Sequence, residues 1–242
     1  MSQVSSNTPT EPPEVISGTG RSLFEGFLKI AIFVVISVGI FFLCAGRLNL
    51  LFAWIYIATL LANTAITSLI MDPDLIVERI EIKKDAKRWD ILPAILIGRV
   101  GPLVILAVGG LDVRFAWSPQ LPLALQIIAL FIAALGLFVT DWAVVSNKFF
   151  SGVIRIQKDR GHTVVATGPY RYARHPGYAG AILHNMATPL ILSSLWALIP
   201  AILLICITII RTVLEDQTLH EELDGYELYA KRVRYRLLPN IW

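Results

Sequence analysis

Four predominantly apolar runs, Phe27 to Ala45, Leu48 to Met71, Ile91 to Leu111 and Leu121 to Val145, constrain this chain more than any other feature. A helix rises 1.5 Å per residue, so about 20 apolar residues cross a hydrocarbon core of roughly 30 Å, and each run suffices for one crossing. Lipid offers no water to pair with backbone N–H and C=O groups, which forces such runs into helices; they are also too long for membrane β-strands. Composition agrees: 55% of the 242 residues are hydrophobic and 16% are charged, against about 25% charged in an average soluble domain. The expected fold class is all-α, a polytopic transmembrane helix bundle with four single crossings and a helical hairpin near the C-terminus.

The hairpin is read from the last apolar stretch, Ala179 to Ile210. As one helix its roughly 32 residues would run about 48 Å, well beyond the membrane. Pro189, the Ser193-Ser194 pair and Pro200 interrupt it. Proline removes a helical hydrogen bond and serine favours turns, so two helices entering and leaving by one face fit better than a single tilted span. The hairpin would bring Ser146 to Tyr178 and Arg211 to Trp242 together on one side of the membrane.

Charge placement suggests which side. The loop from Glu78 to Asp90 holds Arg79, Lys83, Lys84, Lys87 and Arg88, and the segment from Lys148 to Arg174 holds Lys148, Arg155, Lys158, Arg160, Arg171 and Arg174. The connections on the other side hold only Arg47 and Arg114. The positive-inside rule puts the basic loops, and with them both termini, in the cytoplasm. A solvated face touching anionic membrane lipids accounts for the net charge of +3, and no nucleic-acid partner is expected. Residues Met1 to Gly20 are rich in Ser, Thr and Pro with acidic Glu11 and Glu14, which reads as a tail before a retained helix rather than a signal peptide. Cys44 and Cys206 both sit in apolar runs, which implies no disulfide framework and no metal cluster.

The two polar flanks are where chemistry can be assembled. In the first, Gly161 and Gly168-Pro169 mark turns, and His162-Thr163-Val164-Val165 between them reads as extended. Pro176 biases His175 away from helix and would present its imidazole at the mouth of the hairpin, beside two arginines and three tyrosines. In the second, Arg211 and Glu215 share one helix face at the end of the last crossing. Taken alone they read as an ordinary i,i+4 ion pair. Lys231 to Arg236 read as a basic interfacial segment whose arginine stems snorkel.

In order and spacing, several motifs resemble the isoprenylcysteine carboxyl methyltransferase family: Gly168-Pro169-Tyr170-Arg171-Tyr172-Ala173-Arg174-His175-Pro176-Gly177-Tyr178, the apolar hairpin, Arg211-x-x-x-Glu215, Tyr226-x-x-Tyr229 and Arg234-Tyr235-Arg236-Leu237-Leu238-Pro239. The likeness covers about Asn147 to Trp242 and is architectural before that. It implies methyl transfer from S-adenosylmethionine to a lipid-like acceptor, without a Rossmann-like domain, and no G-x-G-x-x-G fingerprint is present. The expected division is a tail over residues 1–22, transmembrane helices 1–4 over 23–146, and a catalytic region over 147–242 with a re-entrant or transmembrane hairpin and an interfacial C-terminal helix. The cofactor pocket that the resemblance implies uses Gln157, His162, Thr163, Val164, Val165, Tyr170, His175, Pro176, Gly177, Tyr178 and Glu215. Arg211 would orient an anionic acceptor, and Asp216 stands where the family usually has the second glutamate of an acidic pair.

Such a pocket is chemically coherent. The cofactor carries a sulfonium, an ammonium and a carboxylate, which call for an acidic partner, hydrogen-bond donors and aromatic surface. An ionised carboxylate acceptor needs no general base, so alignment and exclusion of water carry the reaction. Depending on the cell, the membrane would be the endoplasmic reticulum of a eukaryote or the inner membrane of a bacterium. Two alternatives stay open. NADPH-dependent membrane sterol or isoprenoid reductases share an R-H-P-x-Y turn, but with Asn before the tyrosine and Gly-Glu after it, where this chain has Gly177-Tyr178-Ala179-Gly180. A non-enzymatic transporter would use intramembrane charges, and the first four runs offer only Lys29, Arg99 and Asp141, with Arg99 and Asp141 able to pair or to line an access route.

Overall fold

A computed structural model describes residues 15–71 and 85–242. Residues 1–14 of the expected tail, with Glu11 and Glu14, and the loop cations Arg79, Lys83 and Lys84 lie outside the described residues. The helices are α1 (Val15–Ala45), α2 (Leu51–Ile70), α3 (Arg88–Phe115), α4 (Leu123–Ser146), α5 (Pro176–Ile191), α6 (Leu198–Glu222) and α7 (Tyr226–Arg232). Among the described residues there is no strand, and five helices are long and apolar enough to cross a membrane: α1 from Leu28, α2, α3, α4 and α6. The 16-residue α5 is the first arm of the hairpin that α6 completes. The chain is thus an integral membrane protein with the expected four crossings and hairpin. Its outer surface fits lipid: Leu69 is 86% exposed and Phe131 71%, which suits hydrocarbon and not water.

The boundaries differ in two places. α1 is already helical at Val15, the first described residue, so residues 15–22 are helix where a tail is expected. Once the apolar run is helical, each added residue forms one more backbone bond without a new nucleus. Pro189 does not break the hairpin but lies inside α5, close to its end, where few bonds depend on it. The turn forms at the serines. Ser193 takes a positive φ of 56°, and Ser194 N–H donates to the Pro189 carbonyl at 2.9 Å.

That turn is clasped by a buried carboxylate from α3. Asp112 accepts from Ser118 N–H (2.7 Å), Ser118 Oγ (2.6 Å), Ser194 Oγ (2.6 Å) and Trp196 N–H (3.3 Å). The hairpin tip is thereby tied to the α3–α4 connection, and both polar flanks fall at the opposite end of the bundle. Arg99 and Asp141 do not pair. Asp141 Oδ2 accepts from Thr67 Oγ1 of α2 at 2.7 Å, while Arg99 is exposed in a π-helical segment, Leu96–Val100. Pro102 follows that segment and lacks the N–H that a regular α-turn would use.

The hairpin seats on α4 through glycine. A Cβ at Gly136 would lie 2.6 Å from the Gly180 carbonyl oxygen, and one at Gly180 would lie 2.5 Å from Thr140 Oγ1 and 2.7 Å from Thr140 N. Small residues let two backbones approach at such a crossing, where packing in place of the hydrophobic effect drives association. Because the obstacle is backbone, Gly180→Val should push α5 off α4 and lower stability by about 1–3 kcal/mol or more. Thermal unfolding of the solubilised protein checks this; an unchanged midpoint would contradict the packing.

Candidate active site

The end of the bundle opposite the hairpin tip is organised by two buried carboxylates, Asp216 and Asp90, which are 1% and 0% exposed. Asp216 lies on α6 one residue after Glu215. Its Oδ1 accepts from Arg174 Nε (2.8 Å), Tyr226 Oη (2.9 Å) and His175 Nε2 (3.2 Å). Its Oδ2 accepts from Arg174 Nη2 (2.9 Å) and Arg236 Nε (2.8 Å). The side chain whose role the sequence leaves open therefore joins the first flank, α6, α7 and the C-terminal segment at one point. A buried anion is tolerated only with such a full set of donors.

The flanks close further around this point. Arg174 N–H donates to the Tyr235 carbonyl (2.9 Å) and His175 N–H to that of Arg236 (2.8 Å), while Arg174 Nη1 donates to the carbonyls of Val233 (3.0 Å) and Arg234 (2.9 Å). Tyr229 Oη donates to the Tyr170 carbonyl at 2.7 Å. Leu223, Tyr226, Tyr229 and Val233 form a small core against which Val164 packs. The C-terminal segment, read from sequence as an interfacial strip, is thus also a wall of the site.

Asp90 fixes Arg211. Arg211 Nε donates to Asp90 Oδ1 (2.6 Å) and Nη2 to Oδ2 (2.8 Å), a two-pronged fit, and Nη2 also donates to the Gly152 carbonyl (3.0 Å). Asp90 Oδ2 in turn accepts from Ile154 N–H at 2.6 Å. The expected i,i+4 ion pair of Arg211 with Glu215 gives way to this arrangement, because the facing carboxylate matches the guanidinium fork better than a neighbour on the same helix. Arg211 also lies over the Tyr178 ring, 5.3 Å from its centre. Tyr178 Oη donates to Glu215 Oε2 at 2.6 Å. Nη1 of Arg211 and Oε1 of Glu215 keep their hydrogen-bonding capacity free of the other described residues.

Pro176 opens α5, as expected, and His175 takes an extended φ of −128° just before it. Its imidazole turns inward to Asp216 and stacks with Tyr178, ring centres 6.0 Å apart. Because Asp216 accepts only, the shared proton sits on Nε2. Pro176 and Gly177 are buried, and a Cβ at Gly177 would lie 3.0 Å from the Phe150 ring.

Gln157 and His162 form a neighbouring group around Phe149. Gln157 is fully buried with both ends of its amide engaged: Nε2 donates to the Phe149 carbonyl (2.6 Å), and Oε1 accepts from Arg160 Nη1 (2.7 Å). His162 Nδ1 accepts from Gln157 N–H (3.3 Å), which leaves Nε2 as the protonated nitrogen. Burial, with Arg155 and Arg160 adding to it, pushes this imidazole down to about 4, so it is neutral and a donor at physiological pH. Thr163 is exposed, and Val164 and Val165 are half-buried in the irregular segment that follows. Tyr170 is buried and accepts from Asn147 Nδ2 (3.3 Å); burial pushes its phenol above the ordinary range. Tyr178, Glu215, His175 and Arg211 therefore meet directly, whereas Gln157 and His162 are held by Phe149 and Arg160.

Asp90 and Asp216 are the residues that sequence reasoning missed. The signal for Asp90 was available: an acid at the head of an apolar run needs a buried cation, and Arg211 ends another run. Nothing in the spacing identifies Asp216, whose donors come from three separate segments. Replacing it with Ala would leave Arg174 buried without its carboxylate, a loss of about 3–5 kcal/mol. Asp216→Ala should melt earlier and expose Val233 to Trp242 to protease; wild-type melting and wild-type cleavage together would contradict the role assigned to it.

Among the described residues no group of three or more His, Cys, Asp or Glu could hold a metal ion. No curated protein matches the chain. Residues 126–221 match the model of the Isoprenylcysteine carboxyl methyltransferase (ICMT) family. The match runs from α4 through the turn at His175 and the hairpin to Glu221, and so includes Arg211, Glu215 and Asp216. It supports methyl transfer over the reductase and transporter readings. Over residues 126–221, which carry much of the described polar site, this chain is similar to the isoprenylcysteine carboxyl methyltransferase family.

Proposed function

We propose that this protein transfers a methyl group from S-adenosylmethionine to a lipid-linked anion at the membrane surface, the carboxylate of a prenylcysteine or a close relative. The observation that carries this reading is the face of α6 where Arg211 and Glu215 stand one turn apart. Asp90 holds the first and Tyr178 the second, and each keeps one end uncommitted. A fixed cation beside a fixed anion suits an anionic acceptor meeting a cationic donor.

The residues present fit the cofactor. Glu215 Oε1 is available to its ammonium or sulfonium, the rings of His175 and Tyr178 give aromatic surface, and neutral His162 offers an N–H. S-adenosylmethionine, when bound, supplies an electrophilic methyl group and needs no metal. In this assignment Tyr170 and the turn His175-Pro176-Gly177-Tyr178 shape one side of the pocket, and His162-Thr163-Val164-Val165 the other. Gln157 acts by holding the second side in place, since its amide is already engaged.

Arg211 Nη1 would hold the acceptor carboxylate while Asp90 keeps the guanidinium plane fixed. Tight pairing also stabilises the acceptor's ground state, so the contribution assigned to Arg211 is orientation. By the positive-inside rule, the basic loops support a cytoplasmic location for this end of the bundle and for both termini. That corresponds to the endoplasmic reticulum membrane in a eukaryotic cell or the inner membrane in a bacterial one. The acceptor's tail would stay in the bilayer and reach the site between helices.

Two variants separate the roles. Glu215→Gln should weaken binding of labelled S-adenosylmethionine to the purified protein by about tenfold or more, as expected for loss of a charge-assisted contact. Arg211→Ala should retain cofactor binding and lose turnover. Equal cofactor affinity and full turnover in both would refute the assignment.

A further inference from the structure

A second group of polar side chains lies inside the membrane-spanning part of the bundle. Between α2, α3, α4 and α5 there is a cavity of about 160 Å³, lined by Tyr56, Thr140, Ala181, His184, Asn185 and Thr188 among apolar neighbours. None of the residues lining it is Asp, Glu, Lys or Arg. A cavity of roughly this size accommodates a benzene ring. It would take a short piece of a lipid tail, not a whole one.

Most of its polar groups are paired within the chain. Tyr56 Oη lies 3.1 Å from His184 Nε2 and 3.2 Å from Thr188 Oγ1, and Thr188 Oγ1 donates to the His184 carbonyl at 2.9 Å. Nδ1 of His184, buried toward the Ala133 carbonyl, forms no well-shaped hydrogen bond. Asn185 differs. One amide hydrogen goes to the Ala181 carbonyl at 2.9 Å, and Oδ1 and the second hydrogen find no partner among the described residues. An amide left half-unpaired at membrane depth is unfavourable against hydrocarbon and calls for a polar partner.

The cavity is aligned with the proposed methyl-transfer site. Tyr178, Ala181 and Asn185 stand at i, i+3 and i+7, one face of α5, and Asn185 lies about 10 Å along the helix from Tyr178. Thr140 Oγ1, which lines the cavity and donates to the Gly136 carbonyl at 3.0 Å, also lies 3.3 Å from the Gly177 carbonyl. The near end of the cavity thus abuts the turn that carries Tyr178, and its far end is polar.

We infer that this cavity reads the acceptor's tail, selecting an amphiphile that carries a neutral oxygen, hydroxyl or carbonyl, about 10 Å from the reacting group. The inference rests on the methyl-transfer reading. A charged group is excluded by the uncharged walls, and a plain hydrocarbon would leave Asn185 unpaired. A hydroxyl would donate to Oδ1; a carbonyl would accept the remaining amide hydrogen.

The test uses the full chain in lipid nanodiscs with prenylcysteine-type acceptors matched in length, whose tails are plain hydrocarbon, hydroxylated or keto-substituted at that position. Wild type should favour one of the oxygenated tails by about tenfold or more in kcat/KM, and Asn185→Leu should bring the ratio close to one. Asn185→Ala serves the same purpose if the leucine variant fails to fold. Equal kcat/KM for all tails in wild type, or an undiminished ratio in the variants, would overturn the inference. Diazirine-tailed versions of the same amphiphiles, cross-linked to cofactor-free protein, give a readout independent of turnover. Adducts between Ala181 and Thr188 that the oxygenated amphiphile displaces better than the hydrocarbon one support the cavity's role; displacement without preference counts against it. Absence of turnover with every acceptor, with selective adducts retained, would refute methyl transfer and leave the cavity assignment standing.

Discussion

The Asp216 carboxylate is the contact on which the polar end of this protein depends. Five donor atoms reach it, from Arg174, His175, Tyr226 and Arg236. Removing such an anion from water is expensive, and the expense is offset only when every lone pair is met. Segments distant in sequence must therefore converge for the chain to fold here at all. The turn before α5, the end of α6, α7 and the C-terminal segment are all held to one atom group, and Tyr178 and Glu215 are positioned as a by-product.

The Asp90–Arg211 pair extends the same logic to the side proposed for the acceptor. An arginine held on two of its nitrogens by a buried carboxylate loses little further freedom when a ligand arrives, so orientation comes preassembled. The pair is also nearly neutral as a unit, which moderates the attraction for an anionic acceptor and fits a role in alignment better than one in tight capture. Asp90 in turn is reached by Ile154 N–H, so the loop after α4 and the start of α3 are set relative to Arg211 by the same carboxylate.

The crossings and the hairpin were legible in the sequence because bilayer thickness converts directly into a run length, and Leu48 to Met71 or Leu121 to Val145 allow no other solution. The turn at His175 was legible because Pro176 restricts its neighbour. The ion pairs were not. Arg211 and Glu215 satisfy the spacing for a local pair, yet Arg211 chooses Asp90, 121 positions away, since a buried facing carboxylate meets both prongs of the fork. Spacing rules describe neighbours on one helix and are silent on partners that only tertiary packing supplies. The same holds for Gln157: its place beside the cofactor motif was expected, but its engagement by Phe149 and Arg160 follows from the fold of the loop.

In the proposed function, this end of the bundle aligns S-adenosylmethionine with a lipid-linked carboxylate. The most direct measurement is methyl transfer by purified protein in liposomes, using cofactor labelled on its methyl group and a prenylcysteine acceptor. Label is expected in a base-labile ester of the acceptor, at a rate that depends on the acceptor's free carboxylate. No incorporation into prenylcysteine alongside efficient labelling of an amine or thiol lipid would contradict it.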